Sequence, residues 1–371
     1  MCYPISVVVP TKNRYKYLKS LIELIIGFET DELELVIQDN SDNNQEFEEW
    51  LASKKFPWLK YYYCSDQLTS IQNFDKAIIN STGDCVAFIG DDDGVVRNII
   101  DCAKWMLANN IEAVRSLNVE YQWPECSGNG VMLKSNSKCI VEYSNPIHDL
   151  IKMLRNGCAL NYIPVTYAGI VQRSVLDEIY KDYGTYFPGG ASADMANGVA
   201  LCFYVKRYAK VSIPIIITGT SKKTGGVKDR RKFIPFSEIP FISSLVERNW
   251  EGNLPKFWFG VFVWAESAIK ALRVLKQESF IQFISFEKIF TRAVFRARVN
   301  PQIFCSYCSL PKLYLNILLF VANRFNRKLL HIILQCINKR IGGEKKRNIR
   351  TIIEAEKELN KYTIDFKSLK I

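Results

Sequence analysis

The stretch CVAFIGDDDGVV, residues 85–96, runs six nearly apolar positions into Gly90, three adjacent aspartates and Gly94. Carboxylates side by side repel one another unless a cation or positive donors neutralise them, and hard divalent ions take oxygen ligands. Mg²⁺ or Mn²⁺ is therefore the expected occupant of Asp91, Asp92 and Asp93. Such an ion keeps one or two carboxylates and completes its shell with water and substrate phosphates. Gly90 and Gly94 would let a diphosphate come close to the backbone. A helix cap near Val95 would use one aspartate and leave two unexplained.

Those aspartates need elements to hold them. Short β-rich runs at 5–10 (ISVVVP), 33–39 (LELVIQD), 59–64 (LKYYYC) and 85–90 (CVAFIG) alternate with stretches 15–28, 45–54, 70–80 and 96–108, where apolar residues recur every three or four positions. This alternation predicts an α/β fold with a mainly parallel sheet between helices. Ligands of such sheets sit beyond the carboxyl ends of the strands. PTKNR (10–14), DNSDN (39–43), SDQLTSIQN (65–73) and GDDDG (90–94) follow the four strands in turn, so all four polar clusters fall on that edge.

Taken in order and at these intervals, ISVVVPTKNR, VIQDNSDN and NFDKAIINSTGDCVAFIGDDD resemble the N-terminal half of inverting family 2 glycosyltransferases of the GT-A (Rossmann-like) fold. Within them the chain is most similar to abequosyltransferase-like enzymes of bacterial surface polysaccharides, over about residues 4 to 225. The resemblance implies that Pro10, Thr11 and Asn13 line a nucleotide pocket and that Asp39 hydrogen-bonds the base. It implies that Asp91, Asp92 and Asp93 form the D-x-D element that touches the ribose and holds a metal bridging two phosphates. Gly90 stands where many members have the first aspartate, which leaves the ligand open among the three; Asp93 is favoured, with Asp92 beside it. Asn73 falls where members often have a polar residue facing the nucleotide, and a role at the helix start suits it equally.

An acceptor hydroxyl attacking an anomeric carbon must also lose its proton. Family members use a carboxylate after a strand and helix resembling YAGIVQRSVLDEI (167–179), and YFPGGASADMANGVALC (186–202) then offers Asp194. Its alternative role is to meet the dipole at a helix start. Asp177 and Glu178 belong to a predicted surface helix. GTSKKTGG (219–226) has the composition of a basic loop that folds over phosphates, with Lys222 and Lys223 as its cations. His148 and His331 are read as structural or solvated. WPEC (123–126), Tyr162, Tyr167 and Trp250 could stack on sugars, although core packing suits most of them better.

The 371 residues, 48% of them hydrophobic, suffice for a full core, and the net charge of +11 calls for a polyanionic partner. Eleven scattered cysteines and no basic-then-apolar start point to a cytoplasmic protein, and the lone Cys305-x-x-Cys308 reads as buried thiols rather than a zinc site. No uninterrupted run reaches the roughly eighteen apolar residues of a membrane span. The segment 316–350 interleaves Leu, Ile and Phe with nine Lys and Arg (Arg324, Arg327, Lys328, Lys339, Arg340, Lys345, Lys346, Arg347 and Arg350), a pattern that suits the inner face of the plasma membrane, packing on the catalytic domain or an oligomer interface. No recognition motif for nucleic acid accompanies it.

The expected organisation is a GT-A catalytic domain over 1–228 and a basic, mainly helical domain over 229–371. The expected activity is metal-dependent, inverting transfer of a sugar from a nucleotide-diphosphate donor to a glycan or lipid-linked acceptor in O-antigen or capsule synthesis. The rivals are a sugar-phosphate nucleotidyltransferase and a non-catalytic membrane-surface scaffold. PTKNR lacks the glycine-rich, basic loop that a triphosphate would need.

Overall fold

The computed structural model of the chain describes residues 3–116, 119–134, 141–159, 163–222, 234–236, 247–336, 344–361 and 366. Tyr162, Lys223 and the boundary expected near residue 228 lie outside the described residues. Four parallel strands open the fold: β1 (Ile5–Thr11), β2 (Leu33–Asp39), β3 (Leu59–Tyr63) and β4 (Cys85–Phe88). Helices α1 (Tyr15–Ile26), α2 (Gln45–Leu51) and α3 (Ser70–Ile79) connect them, all within a turn of their expected bounds. β1 and β2 are buried along their whole length, as strands covered on both faces must be. Glu34 on β2 is kept there by the Ser6 hydroxyl (2.5 Å), the Thr82 amide (2.7 Å) and the Thr82 hydroxyl (2.9 Å), all donating to it.

The chain moves outward from β1 through β2 and β3 and then returns to the other side of β1 with β4. Connections leaving in opposite directions open a crevice at the carboxyl ends of β1 and β4. The next strands are β5 (Gly94–Val95), β6 (Ala113–Ser116), β7 (Val119–Gln122), β8 (Val131–Lys134), β9 (Val141–Ser144), β10 (Gly169–Gln172), β11 (Tyr208–Val211) and β12 (Ile216–Thr220). Helices α4 (Ile99–Ala108), α5 (Pro124–Ser127), α6 (Pro146–Arg155), α7 (Arg173–Tyr183) and α8 (Ala193–Tyr204) lie among them. The main sheet runs β3-β2-β1-β4-β10-β6-β11-β9. It is parallel through β4 and mixed beyond, because β10 is antiparallel to both β4 and β6. This is the α/β architecture of the GT-A fold.

A second sheet sits behind the acidic loop. Its order is β15-β8-β7-β12-β5, where β15 (Glu344–Arg347) follows the short pair β13 (Ile234–Pro235) and β14 (Phe257–Trp258). β5 begins directly after Asp93, so its pairing with β12 pins the loop from the far side.

The described part of the C-terminal region is mainly helical, with helices Gly260–Val274, Phe286–Ala297, Leu310–Cys336 and Ile352–Asn360. The first packs against α8 and the last against α1. Cys305 is exposed and Cys308 half-buried, both as free thiols, so the expectation of a buried pair is corrected. They sit on the turn leading into the 27-residue helix, where Phe304 rather than a cysteine fills the core.

Ile352 is fully buried against Gly94, and the Arg97 amide donates to Glu356 one turn later (3.2 Å). Ile352→Ala should therefore cost about 2–5 kcal/mol of unfolding free energy in urea titration. A near-neutral result would mean that the last helix does not close the back of β5.

Candidate active site

The three aspartates are buried, each at most 3% exposed, and each is held differently. Asp91 Oδ2 accepts from the Thr11 hydroxyl at the end of β1 (2.6 Å), and its Oδ1 lies 3.0 Å from Arg14 Nη1. Asp92 Oδ2 is met by Arg14 Nη2 (2.6 Å) and by the Ser221 hydroxyl (2.7 Å). Asp93 Oδ2 accepts from the Gly90 amide (2.8 Å) and the Tyr167 hydroxyl (2.9 Å), while its Oδ1 accepts from the Gly219 amide (2.6 Å). The neutralising cation is a guanidinium. Arg14 sits just before α1, with Tyr17 beneath it (5.3 Å from the ring centre).

Burial pushes the Asp91 carboxyl up to about 7 against the pull of Arg14. Burial, reinforced by the charge of Asp92, raises Asp93 as well. Gly219 is required at its position, since a methyl there would run into the Asp92 carbonyl oxygen. Trp123 of WPEC donates its indole N–H to that same oxygen (2.9 Å), so it is a buried strut for the loop rather than an open sugar platform. Trp250 is likewise buried, donating to the Pro255 carbonyl (3.1 Å).

At the end of β2, Asp39 is fully buried. Its Oδ2 accepts from Tyr15 (2.7 Å) and Tyr61 (2.8 Å), and its Oδ1 accepts from the Ser41 amide (2.8 Å). Pro10 pairs in register with Gln38 and Thr11 with Asp39, which sets the two strand ends level. Asn13 takes a left-handed backbone (φ 59°), a conformation asparagine tolerates, and ties the two loops together. Its side chain donates to Asp42 (2.7 Å) and its amide donates to Ser41 Oγ (2.7 Å). The start of α3 is capped by Thr69 and Gln72, not by Asn73. Asn73 is instead a buried amide whose Oδ1 finds no hydrogen-bond partner among the described residues.

Asp194 lies in the first turn of α8, half-buried, its carboxyl pushed up to about 6 by lost hydration while Arg115 pulls the other way. Tyr167 feels the charges of both Asp93 and Asp194, which with burial raise its hydroxyl strongly. Its hydroxyl is bonded to the acidic loop through Asp93. The loop before Asp194 is gripped by the helix Gly260–Val274, where the Ser192 amide donates to Ser267 Oγ (2.8 Å) and Gly190 lies against the Ser267 side chain. Asp177 and Glu178 are exposed on α7. Lys222 is exposed one residue beyond Ser221. His148 is exposed near the start of α6, while the His331 side chain lies outside the described residues.

Among the described residues no group of three or more His, Cys, Asp or Glu side chains is arranged to hold a metal ion. Both oxygens of Asp93 accept hydrogen bonds from protein donors. Asp91 and Asp92 do face a common cation position, occupied by Arg14, so these two fit a divalent ion on condition that the guanidinium withdraws. Arg14, Ser221, Tyr15 and Tyr61 had not been singled out from the sequence. The place of Arg14 in PTKNR, of Ser221 in GTSKKTGG and of Tyr15 and Tyr61 beside strand ends is the signal that marks them.

Residues 6–113 match the family model described as glycosyl transferase family 2. The match takes in Thr11, Arg14, Asp39, Asn73 and the acidic loop, and stops before Asp194. No curated protein matches the chain. Among solved structures, residues 1–349 of S. aureus TarS are 18% identical over 59% of this chain and 60% of that one, with a TM-score of 0.44. The same protein in complex with UDP-GlcNAc is 17% identical over 61% of this chain and 62% of that one (TM-score 0.46), and in complex with UDP 19% identical over 60% and 61% (TM-score 0.43). The chain thus spans about three fifths of the structures it resembles.

With its carboxyl raised from 3.8, Asp91 gives its full contribution to stability below about pH 4 and loses it as pH climbs through about 7. Arg14→Gln removes the main opposing pull and leaves buried charge unpaired, at a cost of about 3–5 kcal/mol where the carboxylates are ionised. Denaturant titrations should show a larger loss at pH 8 than at pH 5; equal losses would mean that the guanidinium does not neutralise this pair.

Proposed function

We propose, for a chain whose residues 6–113 match the glycosyl transferase family 2 model, that it transfers a sugar with inversion from a nucleotide-diphosphate donor to a glycan or lipid-linked acceptor of a cell-surface polysaccharide, an O-antigen or capsule. The observation that carries the proposal is the meeting of Thr11, Arg14 and the acidic loop at the carboxyl ends of β1 and β4, inside the family segment. The nucleotide lies along the crevice between the ends of β2 and β4. Pro10, Thr11 and Asn13 form its wall, and Asp39 sets Tyr15 and Tyr61 toward the base. Asn73 offers its unpartnered carbonyl oxygen to the donor. Asp91 and Asp92 approach the ribose and the diphosphate, with the Arg14 guanidinium available to the phosphates as it leaves the carboxylates.

A Mg²⁺ or Mn²⁺ ion, when bound, would be held by Asp92 with Asp91 and would offset the diphosphate charge. Lys222 and Lys223 supply further positive charge to the departing diphosphate. Asp194 takes the proton of the acceptor hydroxyl as that oxygen attacks the anomeric carbon. A carboxyl titrating near 6 suits this role, being ionised at neutral pH yet basic enough to accept a proton. The Tyr167 hydroxyl holds Asp93 in place. The domain division, 1–228 for catalysis and 229–371 as a basic helical part, is retained in this reading.

Incubation with a panel of UDP-, GDP-, CDP- and dTDP-sugars tests the proposal. Slow release of the nucleoside diphosphate from one of them is expected, and no release from any would sink it. Asp194→Asn should keep the rise in melting temperature given by the matching nucleoside diphosphate while losing about a hundredfold or more in turnover. The wild-type kcat/KM should fall on the acid side of about pH 6, where Asp194 is protonated. An Asp194→Asn enzyme that keeps wild-type turnover of the nucleotide sugar, or that loses the nucleoside diphosphate's rise in melting temperature, would overturn the role given to Asp194.

A further inference from the structure

The helix Leu310–Cys336 turns one face inward and leaves another uncovered. Inward, Leu313 is fully buried, Ile317 packs on the core, and Phe320 stacks on Phe295 (4.6 Å) of the preceding helix. Outward, Tyr314, Leu315, Leu318, Leu319, Val321 and Phe325 are 43–67% exposed. At 100° per residue these six share one side of the helix. No helix among the described residues is long and apolar enough to cross a membrane, this one included.

The charge around this face decides what covers it. From Lys288 to Gly343 the sequence contains no Asp or Glu and ten Lys and Arg. Lys288, Arg296, Arg298, Lys312 and Arg324 are exposed on the two packed helices and their connection. A second copy would bring an equally positive surface against this one in any symmetric pairing. An anionic lipid surface instead complements the charge and accepts the apolar side chains at the depth of the acyl boundary.

We infer that the helix Leu310–Cys336 lies in the interface of an anionic membrane, its outer apolar face inserted and its cations against the headgroups. The inference rests on this helix and not on the transfer reaction. Full-length protein should co-sediment with vesicles of equal phosphatidylcholine and phosphatidylglycerol, weakly with phosphatidylcholine alone, and less as salt rises. Leu318→Glu with Phe325→Glu, both at exposed positions, should lower vesicle partitioning by more than about tenfold, with melting temperature and turnover of a soluble acceptor unchanged. Phe325→Trp should shift its emission to the blue on vesicle addition. Absence of lipid-dependent sedimentation overturns the inference, as does binding that survives the double glutamate. So does a vesicle-free dimer that the double glutamate dissolves, since that would make the face an interface between copies.

Discussion

The ion pair of Arg14 with Asp91 and Asp92 joins the beginning of the first helix to the loop after the fourth strand. Without it, two buried carboxylates would lose their guanidinium partner, at a cost of several kcal/mol. The remaining supports serve the same end. Thr11 reaches across from β1, Ser221 from the end of β12, and Gly219 brings a bare amide to Asp93. Two sheets converge on three residues, and charge compensation is what they converge for. An arrangement with one cation in the middle is also one that an incoming polyanion can rearrange, because phosphates compete for the same guanidinium that the carboxylates hold.

The second focus is the loop that precedes Asp194. It contains glycines with positive φ at 189 and 190, a stretch that a C-terminal element holds in place. The helix Gly260–Val274 does this through Ser267 and through Glu266, whose carboxylate accepts from the Ala191 amide (3.3 Å) and pairs with Lys270 (2.5 Å). The C-terminal helices are thus mechanically part of the site, whatever further surfaces they cover.

What could be read from sequence follows the range of the interactions involved. The four strands and their helices are encoded by local periodicity, and they emerge within a turn of the expected bounds. The edge carrying the polar clusters follows from topology, and Thr11, Asp39 and the acidic loop do gather there. Asn73 illustrates the limit of local reading: Thr69 and Gln72, three residues apart, form the capping box, whereas spacing alone leaves a helix-start role equally open to Asn73. Long-range pairings were not legible. The contact of Ser221 with Asp92 joins residues 129 positions apart, and that of Gly219 with Asp93 depends on a strand order that no periodicity reveals. Composition shows the charge of Asp91, Asp92 and Asp93 but not the guanidinium that meets the first two. Sequence also understated how inward-facing Trp123 and Asp39 are, since burial depends on what folds over them.

The pairing of β8 with β15 has a bearing on how the polypeptide emerges from a ribosome. Val131–Lys134 must wait for Glu344–Arg347 before its outer edge is hydrogen-bonded, and Gly94 must wait for Ile352 before its rear is sealed. The Rossmann-like core can form early from neighbouring segments, but the smaller sheet is a late closure joining distant parts of the chain, where loop entropy slows assembly. Until then a bare strand edge stands open to other nascent chains, which makes this the stage of biogenesis at which the protein most needs shielding.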